Sequence, residues 1–247
     1  MENIVTTALT GLFFGTFGTT LGGLLGVSFK KGSQKFLSFI LSFASGLMLS
    51  VVCFDLIPES MEITSVSHTL LGILCGVIIM MLSEAIIDQK LRHVSNQFYA
   101  NNQLLKTGVV VGIGLALHNL PEGLAIGAGL ESSLKLGYSL AIAICLHDIP
   151  EGISMSVPMK NGGMCKKKVI LYVLLSGVTT GIGAMIGSMV GCISSTVIAF
   201  CLAFAGGAML YIVSGELIPE SNKLYQGRLP VLGNLLGFIL GIFVTKI

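Results

Sequence analysis

The sequence predicts an all-α integral membrane protein of eight transmembrane helices, arranged three, two and three with an inverted repeat. Three observations lead there. Of the 247 residues 53% are hydrophobic and only 11% charged, with no tryptophan, and the mean hydropathy is +0.90. A soluble domain carries about 25% charged residues, and a lipid environment accounts for the difference. Eight apolar stretches reach the roughly 20 residues that cross a hydrocarbon core. Finally, residues 43–60 recur, altered but without a gap, at 204–221.

The eight stretches fall near 4–28, 36–58, 68–88, 107–130, 134–159, 168–190, 194–218 and 228–246. The first lacks a basic leader and a clear small-residue cleavage site, so it is expected to be a retained span and not a signal peptide. The connections are too short for a soluble domain, which predicts one polytopic domain over residues 1–247. Within it, repeat one covers about 4–88, a central helix pair about 107–159, and repeat two about 168–246. The six cysteines, Cys53, Cys75, Cys145, Cys165, Cys192 and Cys201, show no Cys-x-x-Cys spacing and read as small buried hydrophobes.

Basic residues set the orientation. Twelve of the fourteen lie on one side: Lys30, Lys31 and Lys35; Lys90, Arg92 and Lys106; Lys160, Lys166, Lys167 and Lys168; Lys223 and Arg228. Only Lys135 and Lys246 fall on the other. The positive-inside rule makes the twelve cytoplasmic and both termini extracellular. A net charge of +2 is too small to suggest nucleic acid as a partner.

The repeat is FASGLMLSVVCFDLIPES at 43–60 against FAGGAMLYIVSGELIPES at 204–221, with eleven of eighteen positions identical at an offset of 161. The same offset pairs Thr19 with Thr180, Gly22 with Gly183 and Gly26 with Gly187. Spans one and two therefore match spans six and seven. Equivalent spans are five apart, an odd number, so the copies cross in opposite directions, a plan common among secondary transporters. LHNLPEG (117–123) in span four and LHDIPEG (146–152) in span five form a second inverted pair.

These two motifs carry the chemistry. Residues three and four apart share a helix face, which places His118 and Asn119 beside Glu122, and His147 and Asp148 beside Glu151. Six polar groups of metal-ligand type then meet at one helix–helix contact. Each ionised side chain at the bilayer centre costs roughly 2.5–3.5 kcal/mol, so three carboxylates cost on the order of 10 kcal/mol. No Lys or Arg lies within spans four and five to neutralise them, which leaves a bound cation or protons. Imidazole with carboxylate suits Zn²⁺, Fe²⁺ and related first-row ions, whereas Mg²⁺ and Ca²⁺ prefer all-oxygen sites. Pro121 and Pro150 cannot donate to the carbonyls of Leu117 and Leu146, which bends each helix and frees an oxygen beside the site. Gly123 and Gly152 permit close helix contact. The bland alternative is a hydrogen-bonded His/Glu network around two proline kinks, which two inverted copies in one bilayer disfavour.

Asp55 follows Met48 by seven residues on the same helix face, and Glu216 follows Met209 in the same way. They are candidates for the outer and inner gates of a transport path, against the alternative that both only stabilise helix ends near Pro58 and Pro219. Glu59 and Glu220 are expected at the headgroups. Glu84 either attracts ions or faces water, and His68 and His93 are expected in solvent. Met209 reads as core. The glycine-rich runs at 11–26 and 181–191 are packing surfaces, since no strand precedes a helix there as in a phosphate loop.

HNLPEGLAIG in span four and HDIPEG in span five resemble the signature of the ZIP (zinc/iron-regulated transporter-like) family, in its compact bacterial form. The resemblance covers essentially the whole chain. It implies uptake of divalent metal, most of all Zn²⁺, with Fe²⁺, Mn²⁺ and Cd²⁺ also admissible, as transported substrate and not as a prosthetic group. It also implies a two-metal centre. His118, Glu122, His147 and Glu151, completed by the sulfur of Met48, would form the main site. Asn119 and Asp148 would belong to the second, with Glu122 and Glu151 bridging. Many members add a carboxylate from span six, where this chain has Thr180-Gly181-Ile182-Gly183, so the second site is expected to be weak or absent. A His-rich loop after span three, frequent in the family, is reduced here to His93.

The expected protein is a transporter of the cell (plasma) membrane, in contact with metal ions and lipid, with a homodimer left open. An intramembrane metalloenzyme is the rival from another class. The His-Glu-x-x-His of zinc proteases is absent, and a di-iron bundle would use Glu-x-x-His pairs. A proton or sodium carrier using the carboxylates alone is the third reading.

Overall fold

The computed structural model describes residues 2–28, 33–99 and 103–245, without the side chains of 2–3, 87–99, 103 and 107, and eight helical rods account for these described residues. Helix α1 is Glu2–Ser28. Helix α2 runs over Gln34–Ile63, α3 over Val66–Tyr99, α4 over Gln103–Ser132 and α5 over Leu134–Asn161. Helix α6 is Lys166–Gly191, α7 Ser195–Leu224 and α8 Leu229–Thr245. No strand occurs among the described residues. Among the described residues seven helices are long and apolar enough to cross a membrane; α8 is apolar but has only 17 residues. Seven of the expected eight spans thus have a helix of full length, and the eighth stretch has a shorter apolar helix. The third is longer than expected, because its apolar part, Val66–Ile86, continues as helix to Tyr99. Lys30, Lys31 and Lys246 lie outside the described residues, as do the side chains of Lys90, Arg92 and His93.

Prolines act differently in the two kinds of helix. In α2 the chain widens into a π-helical turn at Val52–Leu56, where Ile57 N–H reaches back five residues to the Val52 carbonyl. Helix α7 repeats this at Val213–Leu217, with Ile218 N–H on the Val213 carbonyl. Pro58 and Pro219 follow at once; having no N–H, they cannot continue the α-helical ladder. Asp55 and Glu216 stand inside these two turns. Helices α4 and α5 run unbroken through Pro121 and Pro150, so the expected bends do not interrupt them.

Small residues set the packing, as they must where helices meet without a hydrophobic drive between them. A Cβ on Gly123 of α4 would strike the Thr180 carbonyl of α6, and one on Gly152 of α5 would strike the Thr19 carbonyl of α1. These two glycines therefore admit the flanking helices and not each other. Gly183 meets the Leu120 carbonyl as Gly22 meets that of Ile149. Gly46 abuts the Asn234 carbonyl of α8, and Gly207 that of Ile73 in α3. Ser221 Oγ donates to the Ser38 carbonyl at 2.7 Å, and Ser60 Oγ to the Ala199 carbonyl at 2.9 Å. In every pair the two contacts are related by 161 positions on the outer helices, or by 29 on α4 and α5.

Helices α1, α4, α5 and α6 pack around the middle, with α2 and α8 against one flank and α3 and α7 against the other. Long apolar side chains such as Leu9, Phe13, Leu74 and Ile239 cover the outside, as a lipid-facing surface requires. The cysteines divide: Cys145 and Cys201 are buried, but Cys53, Cys165 and Cys192 are exposed, which corrects the expectation that they fill the interior.

Candidate metal centre

The two central helices bury all six expected polar groups and bring Glu122, His147, Asp148 and Glu151 close together. Asn119, Glu122, His147, Asp148 and Glu151 are wholly inaccessible to solvent, and His118 is 4% exposed. Across the α4–α5 contact, His147 Nε2 lies 3.0 Å from Glu122 Oε1. Glu122, His147 and Glu151 can each offer a ligand atom, and these atoms lie within 4.8 Å of one another. Asp148 Oδ1 is 3.8 Å from His147 Nε2. Asn119 Nδ2 donates to the Ser176 carbonyl at 2.9 Å, which ties α4 to α6 and leaves Asn119 Oδ1 for other partners.

Hydrogen bonding at this centre is incomplete. Glu122 Oε2, both carboxylate oxygens of Asp148 and of Glu151, and Asn119 Oδ1 are buried without a hydrogen-bond partner. Buried polar atoms are normally paired, and an orphaned carboxylate oxygen is costly. Oxygen acceptors and imidazole nitrogens gathered without Lys or Arg have the chemistry of a cation site. The donor set fits a borderline-soft divalent ion such as Zn²⁺.

His118 faces the other way. Its Nε2 is 3.0 Å from Oε1 of Glu216, on the π-helical turn of α7. This pair sits on a cavity of about 650 Å³ that also meets Gln34, Leu104, Asn161 and Lys223. Those residues end or begin helices on the side of the basic loops, so the cavity opens toward that side. The opposite half is filled by Leu56, Ile126, Leu140, Ile144 and Leu202, all fully buried. One end is open to the depth of His118 and the other is packed shut.

The remaining candidates resolve as follows. Met48 is fully buried in the large apolar cluster, which also holds Met209. Asp55 is 8% exposed and accepts from Ser139 Oγ at 3.5 Å. Glu59, expected among headgroups, accepts from Ser132 Oγ at 2.5 Å, while Glu220 lines the cavity. Glu84 also lines it and accepts from the Tyr211 hydroxyl. Thr180 is inaccessible and its Oγ1 has no partner. His68 is exposed, with Nδ1 2.8 Å from Ser65 Oγ.

Sequence reasoning offered Glu216 as a candidate for the path but missed its bond to His118. The signal was present: Met209 and Glu216 share a face, but the extra residue of the π-helical turn decides where that face points. Ser132 and Ser139 carried no motif at all.

Comparison with known proteins points to one family. The family model described as ZIP Zinc transporter matches residues 90–245. A Zinc transporter ZupT from Shigella flexneri is 31% identical over 229 residues, 89% of this chain and 88% of that protein. The protein of the same name from Salmonella paratyphi A (strain ATCC 9150 / SARB42) is 29% identical over 235 residues, covering 91% and 90%. That from Enterobacter sp. (strain 638) is 28% identical over 229 residues, covering 89% and 88%.

Proposed function

The chain belongs to the ZIP zinc transporter family, and from that premise we propose that it takes up divalent metal ions, zinc foremost, into the cytoplasm through the buried centre between α4 and α5. The observation that carries the reading is the cluster of Glu122, His147 and Glu151, solvent-free and rich in unpartnered oxygens. Carboxylates beside an imidazole give a dication the charge and donors that it loses with its water. The same groups without a cation bear the insertion cost estimated from the sequence.

In this reading His118, Glu122, His147 and Glu151, with Met48, hold the transported ion. Asn119 and Asp148 complete a second position bridged by the two glutamates. Thr180 supplies only a neutral hydroxyl there, which makes that position the weaker one. Glu216 and Asp55 line the two ends of the path. The partner set is metal ion and lipid, and the transported metal is substrate, not cofactor.

A single polytopic domain with a three–two–three inverted arrangement is supported by the contacts that recur at offsets of 161 and 29. Helix α8 then crosses as the eighth span. At a rise of 1.5 Å per residue it reaches about 26 Å, and local thinning of the bilayer accommodates the shortfall. The basic loops put the cavity on the cytoplasmic side and both termini outside, so this conformation faces inward in the cell membrane.

The test is reconstitution of the protein into liposomes loaded with a zinc-sensitive dye. Saturable zinc influx is expected. Absence of metal flux alongside turnover of a lipid or peptide, or proton or sodium movement indifferent to zinc, would overturn the reading.

A further inference from the structure

The open and closed ends of the molecule are built from equivalent residues. Val111, Leu115 and Val157 line the cavity, and their counterparts 29 positions away are Leu140, Ile144 and Ala128. All three counterparts are fully buried in the apolar cluster that shuts the other end. The repeat is therefore obeyed in sequence and in helix packing, yet broken at the two ends. An inverted repeat whose halves adopt different arrangements implies a second state with the arrangements exchanged.

The shut end carries two polar bonds from the central pair to α2 among the described residues, the Ser139–Asp55 bond at 3.5 Å and a shorter one at the helix end. Ser132 Oγ, at the end of α4, donates to Glu59 Oε1, just beyond the π-helical turn of α2, at 2.5 Å. The counterpart of Ser132 is Asn161, which ends α5, and that of Glu59 is Glu220, just beyond the π-helical turn of α7. Asn161 and Glu220 both line the open cavity. Glu220 is paired there with Lys223 at 3.5 Å, and the Lys223 and Glu220 side chains are 75% and 52% exposed.

We infer that Asn161 and Glu220 form the inner latch of the carrier, closing the wide end when the Ser132–Glu59 latch opens the other. Asn161 has an amide donor where Ser132 has a hydroxyl, and the acceptor is a glutamate in both. The longer asparagine and the detachable Lys223 partner suit a latch that must cross a cavity to close. Neither residue belongs to the metal centre. The inference rests on the carrier reading, and its test is chosen to separate the two.

The experiment uses the full chain in liposomes, with the six native cysteines changed to alanine, carrying either Ser132→Cys with Glu59→Cys or Asn161→Cys with Glu220→Cys. The first pair should form a disulfide in resting protein. The second should form one only while a zinc gradient drives turnover. Either disulfide should abolish zinc flux, and reductant should restore it. As a check independent of cysteine, Asn161→Ser, which copies the outer donor, should retain more flux than Asn161→Ala. Failure of the inner pair to cross-link during turnover, cross-linking without loss of flux, or equal flux in the serine and alanine variants overturns the latch. Absence of zinc flux with every pair reduced would instead count against the carrier.

Discussion

Glu216 holds His118: the 3.0 Å contact between them joins α4 to the π-helical turn of α7 at the cavity. Its counterpart in the repeat, Asp55, accepts instead from Ser139 at 3.5 Å, and the counterpart of His118, His147, stays on Glu122. The two halves share residue types and differ in the partners of their histidines. In the proposed reading, a carrier open on its release side has this asymmetry, with one imidazole toward the exit and the other at the centre.

If Glu216 assists release, Glu216→Gln should lower maximal zinc flux severalfold while equilibrium zinc binding changes little. The charge that competes for the leaving ion is lost, but the ligands at Glu122, His147 and Glu151 are untouched. Stopped-flow dye uptake set against equilibrium binding in detergent checks this. Parallel loss of both would make Glu216 a ligand of the resting site.

Much of this was legible in the sequence because inverted repeats write themselves into spacing. The offset of 161 and the paired His-x-x-Pro-Glu-Gly motifs identified the equivalent helices and six polar groups that are buried in the interior. What was not legible depends on geometry between helices. The π-helical turns shift Asp55 and Glu216 by a fraction of a turn, and neither shift has a sequence signal beyond the following proline. The partners of Gly123 and Gly152 were also hidden, since a glycine shows that a neighbour comes close without saying which one. Glu59 looked like a headgroup residue because nothing near Ser132 marks that serine as its donor.

Thr180→Glu should raise zinc stoichiometry and alter selectivity among Zn²⁺, Cd²⁺ and Mn²⁺. Thr180 is inaccessible and its hydroxyl is unpartnered, and Asn119 is fixed to the Ser176 carbonyl one turn away. A carboxylate there would add the missing charge of the second position. Elemental analysis of metal per protein, with competition uptake alongside, reads the outcome. Unchanged stoichiometry and selectivity would refute this view of the second site.

Metal removal should destabilise the protein. An ion that binds the folded chain at a concentration of 100 times its Kd stabilises it by about 2.7 kcal/mol, so adding zinc after chelation should raise Tm in detergent. Magnesium at the same concentration should not, because His147 belongs to the cluster and magnesium prefers oxygen donors. Equal stabilisation by both ions would point to an all-oxygen site.

Ser60→Ala and Ser221→Ala should each cost about 1 kcal/mol, the usual worth of one buried hydrogen bond. Each hydroxyl donates to a carbonyl on a neighbouring helix, at 2.9 Å and 2.7 Å, and both serines are fully buried. Thermal unfolding of the two variants should show similar shifts in Tm, as repeat-related positions require. A shift in only one would mean that the two contacts are not energetically equivalent.

The central claim is that the two inverted motifs make one metal site through which the ion passes. Zinc uptake into dye-loaded liposomes by His118→Ala and His147→Ala, each beside wild type, tests it most directly. The account predicts near-complete loss of saturable uptake in both variants, with the proteins still folded and monodisperse. Wild-type uptake in either one would contradict it, because the carboxylates alone would then be carrying the ion.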